Sequence, residues 1–196
     1  MYERYIKRAL DVVLSAVGLV ALSPLLALIA LAIRLDSPGP VVFHQKRFGK
    51  DRKLFEIYKF RTMRVDAPRD VPTNDLRGSK GYITRVGRIL RMTSLDELPQ
   101  FFNVLKGDMS LVGPRPEVPF HVEHFKEEIP RYLVRQQVRP GCTGWAQVHG
   151  LRGDTDIAER IRYDIWYIEN WTVALDIKII FRTVFGGKMV NDEKLQ

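Results

Sequence analysis

The sequence predicts an α+β protein with a membrane-inserted helix at its N-terminus, a short β-hairpin after it, and amphipathic helices around a compact second domain. Three observations lead there. Residues 12–33 are uncharged throughout, 22 in a row, enough to cross a bilayer at about 1.5 Å per residue. Residues 41–45 and 54–61 read as two strands around a turn at Phe48-Gly49-Lys50-Asp51. Beyond them, apolar residues recur at helical spacing, as at Leu95, Leu98, Phe102 and Leu105 and again at Ile157, Ile161, Ile165 and Ile168.

The apolar run is too long for a signal peptide and has no small-residue cleavage site after it. Ser23-Pro24 sits in its middle. Proline removes a backbone donor and clashes with the carbonyl four residues back, here that of Val20, and the serine before it can cap the freed group. Cations flank both ends: Arg4, Lys7 and Arg8 before, and Arg34 with the cluster Lys46, Arg47, Lys50, Arg52 and Lys53 after. Because positive charge tends to stay in the cytoplasm, both ends favour that side, which a helix that dips into one leaflet and returns would satisfy. A kinked spanning helix satisfies the proline equally well, and both readings leave the rest of the chain in the cytoplasm.

Composition narrows the partner. Lys plus Arg is 31 and Asp plus Glu 23, so the formal charge is 31 − 23 = +8. With a pI near 9.7 the partner is anionic: nucleic acid, a membrane surface or a phosphorylated substrate. The single cysteine, Cys142, excludes an internal disulfide and a cysteine-based zinc cluster. In Pro-Gly-Cys-Thr-Gly it reads as a small residue in a tight turn. His121 and His124, three apart on a short helix over residues 118–128, have no third ligand at zinc-site spacing and read as surface or core histidines.

The stretch with the most chemistry is Thr93-Ser94-Leu95-Asp96-Glu97-Leu98-Pro99-Gln100. Ser94 and Glu97 have capping-box spacing, and Pro99 is tolerable if the helix starts late, with Asp96 as N-cap. A helix start favours anions, which would lower the pKa of Asp96 and Glu97 and attract phosphate. Arg85, Arg88 and Arg91 recur just upstream, with rigid turns at Lys106-Gly107-Asp108 and Gly113-Pro114-Arg115-Pro116 downstream. Lys59 and Arg61, two apart on a strand, share a face suited to clamping phosphate. Arginines around a carboxylate pair suit a phosphorylated, metal-bound substrate. Residues 63–81, rich in Pro, Gly, Asp and Arg, read as a loop that closes over substrate, and residues 138–145 as a structured turn. The apolar helix over residues 173–185 suits either a core or a lipid interface.

The series Lys59-Phe60-Arg61-Thr62-Met63, the Asp96 stretch, Ser110-Leu111-Val112-Gly113-Pro114-Arg115-Pro116, and Arg139-Pro140-Gly141 with Thr143-Gly144-Trp145 resembles the bacterial sugar transferases, specifically the monotopic polyprenyl-phosphate phosphoglycosyl transferases. Order and spacing match over nearly the whole chain, including the Ser-Pro membrane segment. At 196 residues the chain looks like the catalytic unit alone, without the extra membrane helices of larger members.

The resemblance implies a re-entrant helix over residues 1–36 and a cytoplasmic catalytic domain over 37–196, at the bacterial inner membrane. It implies transfer of a sugar 1-phosphate from a UDP-sugar to undecaprenyl phosphate with release of UMP, the first membrane step of cell-surface glycan synthesis. It further implies a covalent aspartyl intermediate and Mg²⁺. Asp96 matches the family nucleophile, Glu97 its acidic partner, Arg91 a family arginine five residues before the nucleophile, and Asp164 a further acid of the site. Lys59, Arg61, Arg91, Arg115, Arg139 and Asp164 form the expected phosphate- and nucleotide-binding set, Asp96 and Glu97 the metal set, and Ser23 and Pro24 the helix break. Inner-membrane lipid is an expected partner and nucleic acid is not; the oligomeric state stays open. Rival readings are a glycosyltransferase that releases UDP, a membrane-tethered anion-binding protein such as a nucleic-acid binder, and an envelope scaffold. The sugar itself is not legible.

Overall fold

A computed structural model describes residues 2–68, 81–153 and 155–186. Among them, one helix is long and apolar enough to cross a membrane: α1, Tyr2–Asp36, with a mean hydropathy of 2.6 over its most apolar stretch. Helical assignment runs through Pro24. The Ser23 hydroxyl donates to the Val20 carbonyl at 2.8 Å, replacing the donor that proline cannot supply.

Both halves of α1 lie against the rest of the chain. Near its start, Lys7 Nζ meets Asp176 at 2.5 Å, Arg8 donates to the Leu105 carbonyl, and the buried Asp11 accepts from the Leu111 N–H at 2.9 Å. Ser15 is fully buried, and a Cβ on Gly18 would meet the Phe101 ring at 3.0 Å. In the second half Ile29 and Ile33 are buried with Phe60 and Leu90. These positions recur at helical spacing, so one face is docked along the helix while Val13, Val17, Val20, Leu28 and Leu31 on other faces stay exposed.

After a linker fixed by Gly39 (φ 120°), β1 (Val42–Phe48) pairs antiparallel with β2 (Leu54–Phe60), with Val42 opposite Phe60 and Phe48 opposite Leu54. The hairpin expected from the sequence is present, and its first strand runs three residues beyond residue 45. α2 (Arg85–Thr93) follows, then α3 (Gln100–Lys106), β3 (Ser110–Val112), α4 (Pro119–Glu128), β4 (Gly141–Thr143), α5 (Trp145–Val148), α6 (Ile157–Glu169) and α7 (Val173–Phe185).

β3 and β4 form a parallel pair, Ser110 opposite Gly141 and Val112 opposite Thr143. The backbones approach so closely that a Cβ on Gly141 would lie 2.1 Å from Gly113 N. Cys142 therefore sits on a strand rather than in a turn, and burial pushes its thiol well above the ordinary range. The core behind this pair gathers Ile57, Val104, Met109, Val112, Val148, Tyr167 and Ile179. Ile161 and Ile165 of α6 close a second cluster with Val122 and Tyr132.

One expected face differs. On α3 the buried side carries Val104 and Asn103, while Phe102 is half exposed. On α7 Ile179 is buried, whereas Ile177, Phe181, Val184 and Phe185 form an exposed apolar stripe. Of the loop expected over residues 63–81, residues 69–80 lie outside the described residues. Met63 at its start forms a bridge with Ile83.

Candidate active site

The carboxylate pair sits on a sharp reversal between two helices. α2 ends at Ser94, which takes a left-handed conformation (φ 58°, ψ 15°). A single 3-10 turn, Leu95–Glu97, follows. α3 begins at Gln100 with Pro99 before it, where a missing N–H costs nothing because the first helical N–H groups are unpaired anyway. Leu95 and Leu98 pack against the Ile29, Ile33, Phe60 and Leu90 cluster. The intervening Asp96 and Glu97 line a cleft of about 590 Å³, a volume typical of small-ligand sites.

The capping box does not form. Ser94 Oγ accepts from Arg152 Nη1 at 2.9 Å, and Glu97 is taken by three cations: Lys59 at 2.8 Å, Arg115 at 2.7 Å and Arg152 at 3.2 Å. The two carboxyls differ accordingly. Burial alone would raise Glu97, but Arg115, Lys59 and Arg152 outweigh it and hold its pKa well below the ordinary value. Asp96 goes the other way. Burial, reinforced by the charge of Glu97, raises its pKa against the opposing pull of Lys59, Arg91 and Arg152. The helix-start effect expected to lower both is absent, because the pair precedes α3 on a 3-10 turn. Among the described residues Asp96 makes no hydrogen bond or ion pair of its own.

The surrounding groups come from four places in the chain. Lys59 ends β2. Arg91 rides on α2, which lies directly on the strand end: a Cβ on Gly87 would fall 2.0 Å from the Thr62 carbonyl oxygen. That approach lets Arg91 Nε donate to Thr62 Oγ1 at 2.8 Å. Arg115 follows β3, and Arg152 lies between α5 and α6. Eight Lys and Arg side chains line the cleft against three carboxylates, a net of 8 − 3 = +5.

A second charged layer lies beside this one. Glu117, at the cleft wall, meets Arg160 at 3.2 Å, Arg135 at 3.8 Å and His121 at 4.0 Å. Burial alone would raise its pKa; the His121 hydrogen bond and the nearby Arg135, Arg160 and Arg47 hold it down to about 2. The buried Asp164 meets Arg135 at 2.8 Å, and burial pushes it up to about 6 while Arg135 opposes.

Of the residues expected from the sequence, the fold brings Lys59, Arg61, Arg91, Asp96, Glu97 and Arg115 to the cleft. Arg61 is not a free clamp, however: its guanidinium donates to the carbonyls of Ser37 at 2.7 Å and of Pro38, tying down the chain that leaves α1. Two residues lie outside the cleft lining. Arg139 is exposed and donates to the Gly107 carbonyl at 2.8 Å. Asp164 reaches the site only through Arg135, which also donates to the Arg115 carbonyl at 2.9 Å. The two histidines part company, His121 toward Glu117 and the exposed His124 toward Glu128 at 3.5 Å. Among the described residues no trio of His, Cys, Asp or Glu is placed to hold a metal. Arg47, Arg152, Arg160, Glu117 and Arg135 were not expected. None stands in a motif that marks it as part of a site, and only tertiary contact reveals it.

Comparison with known proteins places the chain in a family. The chain is 50% identical over 189 residues to the UDP-glucose:undecaprenyl-phosphate glucose-1-phosphate transferase of Escherichia coli K12, covering 94% of this chain and 40% of that protein. It is 53% identical over 184 residues to the protein of the same name from Caulobacter vibrioides, covering 91% and 68%. Against the UDP-N-acetylgalactosamine-undecaprenyl-phosphate N-acetylgalactosaminephosphotransferase of Aeromonas hydrophila the figures are 46% over 186 residues, 92% and 43%. The chain thus spans less than half the length of two of these relatives. The family model described as bacterial sugar transferase matches residues 2–188, which takes in α1, the hairpin, the carboxylate turn and α7 alike, and by that match the chain belongs to the bacterial sugar transferase family.

Proposed function

We propose that this chain transfers a sugar 1-phosphate from a UDP-sugar to undecaprenyl phosphate, giving the undecaprenyl-diphosphate-linked sugar and UMP, at the cytoplasmic face of the bacterial inner membrane. The observation that carries this reading is Asp96: a carboxyl without an ion pair among the described residues, facing a strongly cationic cleft, beside a Glu97 whose charge is already matched. The names of the relatives supply the substrate class. The docking of both halves of α1 on one body supports a helix that returns to the side it entered from.

In the first step an Asp96 oxygen attacks the phosphorus that bears the sugar. The bond from that phosphorus to the bridging oxygen breaks, and its electron pair leaves with UMP. In the second step an oxygen of the lipid phosphate attacks the aspartyl phosphorus, and the Asp96 carboxylate is released. No general base is needed, because the reacting form is the carboxylate, which Lys59, Arg91 and Arg152 favour. Arg91, Arg115, Lys59 and Arg152 neutralise charge on the transferring phosphoryl group and on UMP. Glu97 holds three of these cations in place.

Mg²⁺ binds through one or two carboxylates together with phosphate oxygens. Asp96 and Glu97 are such a set, and a half-buried Asp96 with no ion pair among the described residues is a ligand that a cation satisfies; these two residues would hold the ion. When bound, it would neutralise the donor diphosphate.

Intact-protein mass spectrometry tests the reading. Mixed with UDP-glucose or UDP-N-acetylgalactosamine and no lipid acceptor, the parent should gain one sugar-phosphate mass and release UMP. Asp96→Asn should gain none and lose turnover by on the order of 10³-fold or more. Release of UDP, or the lack of any adduct under rapid quench with kinetics that require both substrates bound together, refutes the covalent mechanism.

A further inference from the structure

Arg152 clasps the turn that carries Asp96. Its Nη1 donates to Ser94 Oγ at 2.9 Å and its Nη2 meets Glu97 at 3.2 Å, so it grips the turn on both sides of Asp96. Ser94 is the left-handed residue at which the chain reverses. Yet Arg152 sits on a segment with little stiffness of its own. Gly150 (φ 87°) and Gly153 (φ 74°) bracket Leu151 and Arg152, and glycine adopts many backbone conformations at similar cost. The leading side of the segment is held by backbone bonds. The Leu151 N–H donates to the Ala146 carbonyl and the Arg152 N–H to the Gly150 carbonyl, each at 3.0 Å.

The trailing side is held by Arg160. This buried guanidinium donates through Nη2 to the Gly153 carbonyl at 2.6 Å and to Thr155 Oγ1 at 2.9 Å, and through Nη1 to Glu117 at 3.2 Å. Three acceptors on one planar fork fix its plane as well as its position. Glu117 lies two residues after Arg115, whose Nη2 meets Glu97 at 2.7 Å. The contacts therefore close a ring that runs from Glu97 through Arg115, Glu117, Arg160, Gly153 and Arg152 and back to Glu97.

Building on the reaction proposed above, we infer that Arg160 is a positioning residue for it: Arg160 sets the segment that delivers Arg152 to Ser94 and Glu97, and acts on phosphoryl transfer through Arg152. Without that anchor the two glycines let the segment relax, and the Asp96 turn loses the clasp on both its sides. Arg160 also lines the cleft, so direct contact with the donor is the competing role. The two roles differ in additivity. A residue that works through Arg152 has nothing left to do once Arg152 is gone, whereas a separate donor contact keeps its full effect.

A double-mutant cycle tests this, read as steady-state UMP release by the full chain in nanodiscs from the UDP-sugar that the parent turns over. Arg152→Ala should lower kcat by about 10²-fold. Arg160→Lys keeps a positive charge toward Glu117 but not the planar fork. It should lower kcat by about tenfold and leave the donor KM within about twofold of the parent. Thr155→Val removes one anchor and no charge, and should lower kcat by about threefold; it carries the cycle alone if Arg160→Lys does not fold. In the Arg152→Ala background each should change kcat by less than about twofold. If they cost as much there as in the parent, or if Arg152→Ala or Arg160→Lys turns over like the parent, Arg160 does not act through Arg152 while the reaction stands. A parent that releases UDP in place of UMP overturns the reaction and this role together.

Discussion

Two charged clusters built from the same residue types stand side by side in this protein, and they are not equivalent. Around Asp96 and Glu97 four cations, Lys59, Arg91, Arg115 and Arg152, face two carboxyls, a net of 4 − 2 = +2. Around Glu117 and Asp164 the buried Arg135 and Arg160 face two carboxyls, a net of zero. The first leaves one carboxyl without an ion pair among the described residues; the second, which reaches the cleft wall through Glu117 and Arg160 and keeps Asp164 and Arg135 behind it, pairs both of its carboxyls. Excess positive charge with a free acid suits a diphosphate that is to be attacked. Matched charge suits a scaffold, and Arg135, bonded to the Arg115 carbonyl, is the point where scaffold meets site. Buried ion clusters look alike in composition, so the reactive one is recognised by its imbalance.

Substitutions can break this contrast. The largest effect expected is the loss of turnover in Asp96→Asn, which should leave the unfolding midpoint unchanged, since no ion pair is removed. Asp164→Ala should do the opposite first. It removes the nearer carboxylate of the buried Arg135 and leaves only Glu117 at 3.8 Å, a loss of about 3 kcal/mol in stability, the low end for breaking a buried pair, measurable as a lower midpoint in urea. If Asp164→Ala instead kept its stability and lost turnover alone, the second cluster would belong to the chemistry.

Acid should act on the second cluster next. The folded-state pKa of Glu117, about 2, lies below its ordinary 4.5. The folded state therefore binds fewer protons, and the stabilisation is fully present above pH 4.5 and lost as the pH falls from 4.5 toward 2. The upper bound is about 3 kcal/mol. Thermal melts across that range should show a drop that Glu117→Gln lacks.

The smallest effect is expected at Arg139. It is exposed and bonded to the Gly107 carbonyl outside the cleft, so Arg139→Ala should change turnover by less than about threefold. A loss comparable to that of Arg115→Ala would return Arg139 to the phosphate-binding set.

The comparison also explains how much could be read from the chain itself. Long, strongly patterned segments were legible: α1, the hairpin, α4, and the isoleucine face of α6 follow from periods of 3.6 and 2. Asp96 and Glu97 were legible because two carboxylates among arginines are uncommon. Their local geometry was not. The Ser94–Glu97 spacing signals a capping box, yet Glu97 found Lys59, Arg115 and Arg152 on distant elements, and three charged partners outweigh one backbone N–H. The β3–β4 pair went unseen because each strand is three residues long and the partners are about thirty residues apart. No periodicity survives at that length, and the register rests on the close approach of Gly113 and Gly141. Phe102 was placed inward by spacing and lies outward because α3, only seven residues long, presents Asn103 to the hairpin. There Asn103 accepts from the Tyr58 N–H and donates to the Glu56 carbonyl.

The docking of α1 at both ends has a mechanical consequence. A helix free at one end answers a thicker or thinner bilayer by tilting. Here Lys7, Arg8 and Asp11 fasten one end, and Ile29 and Ile33 the other, so α1 has no tilt independent of the body it is riveted to. With α1 in a bilayer as proposed, mismatch with the surrounding lipid would be transmitted as a torque on the whole molecule, and the depth of the Asp96 turn would be set by the shape of the protein, not by the length of its apolar helix.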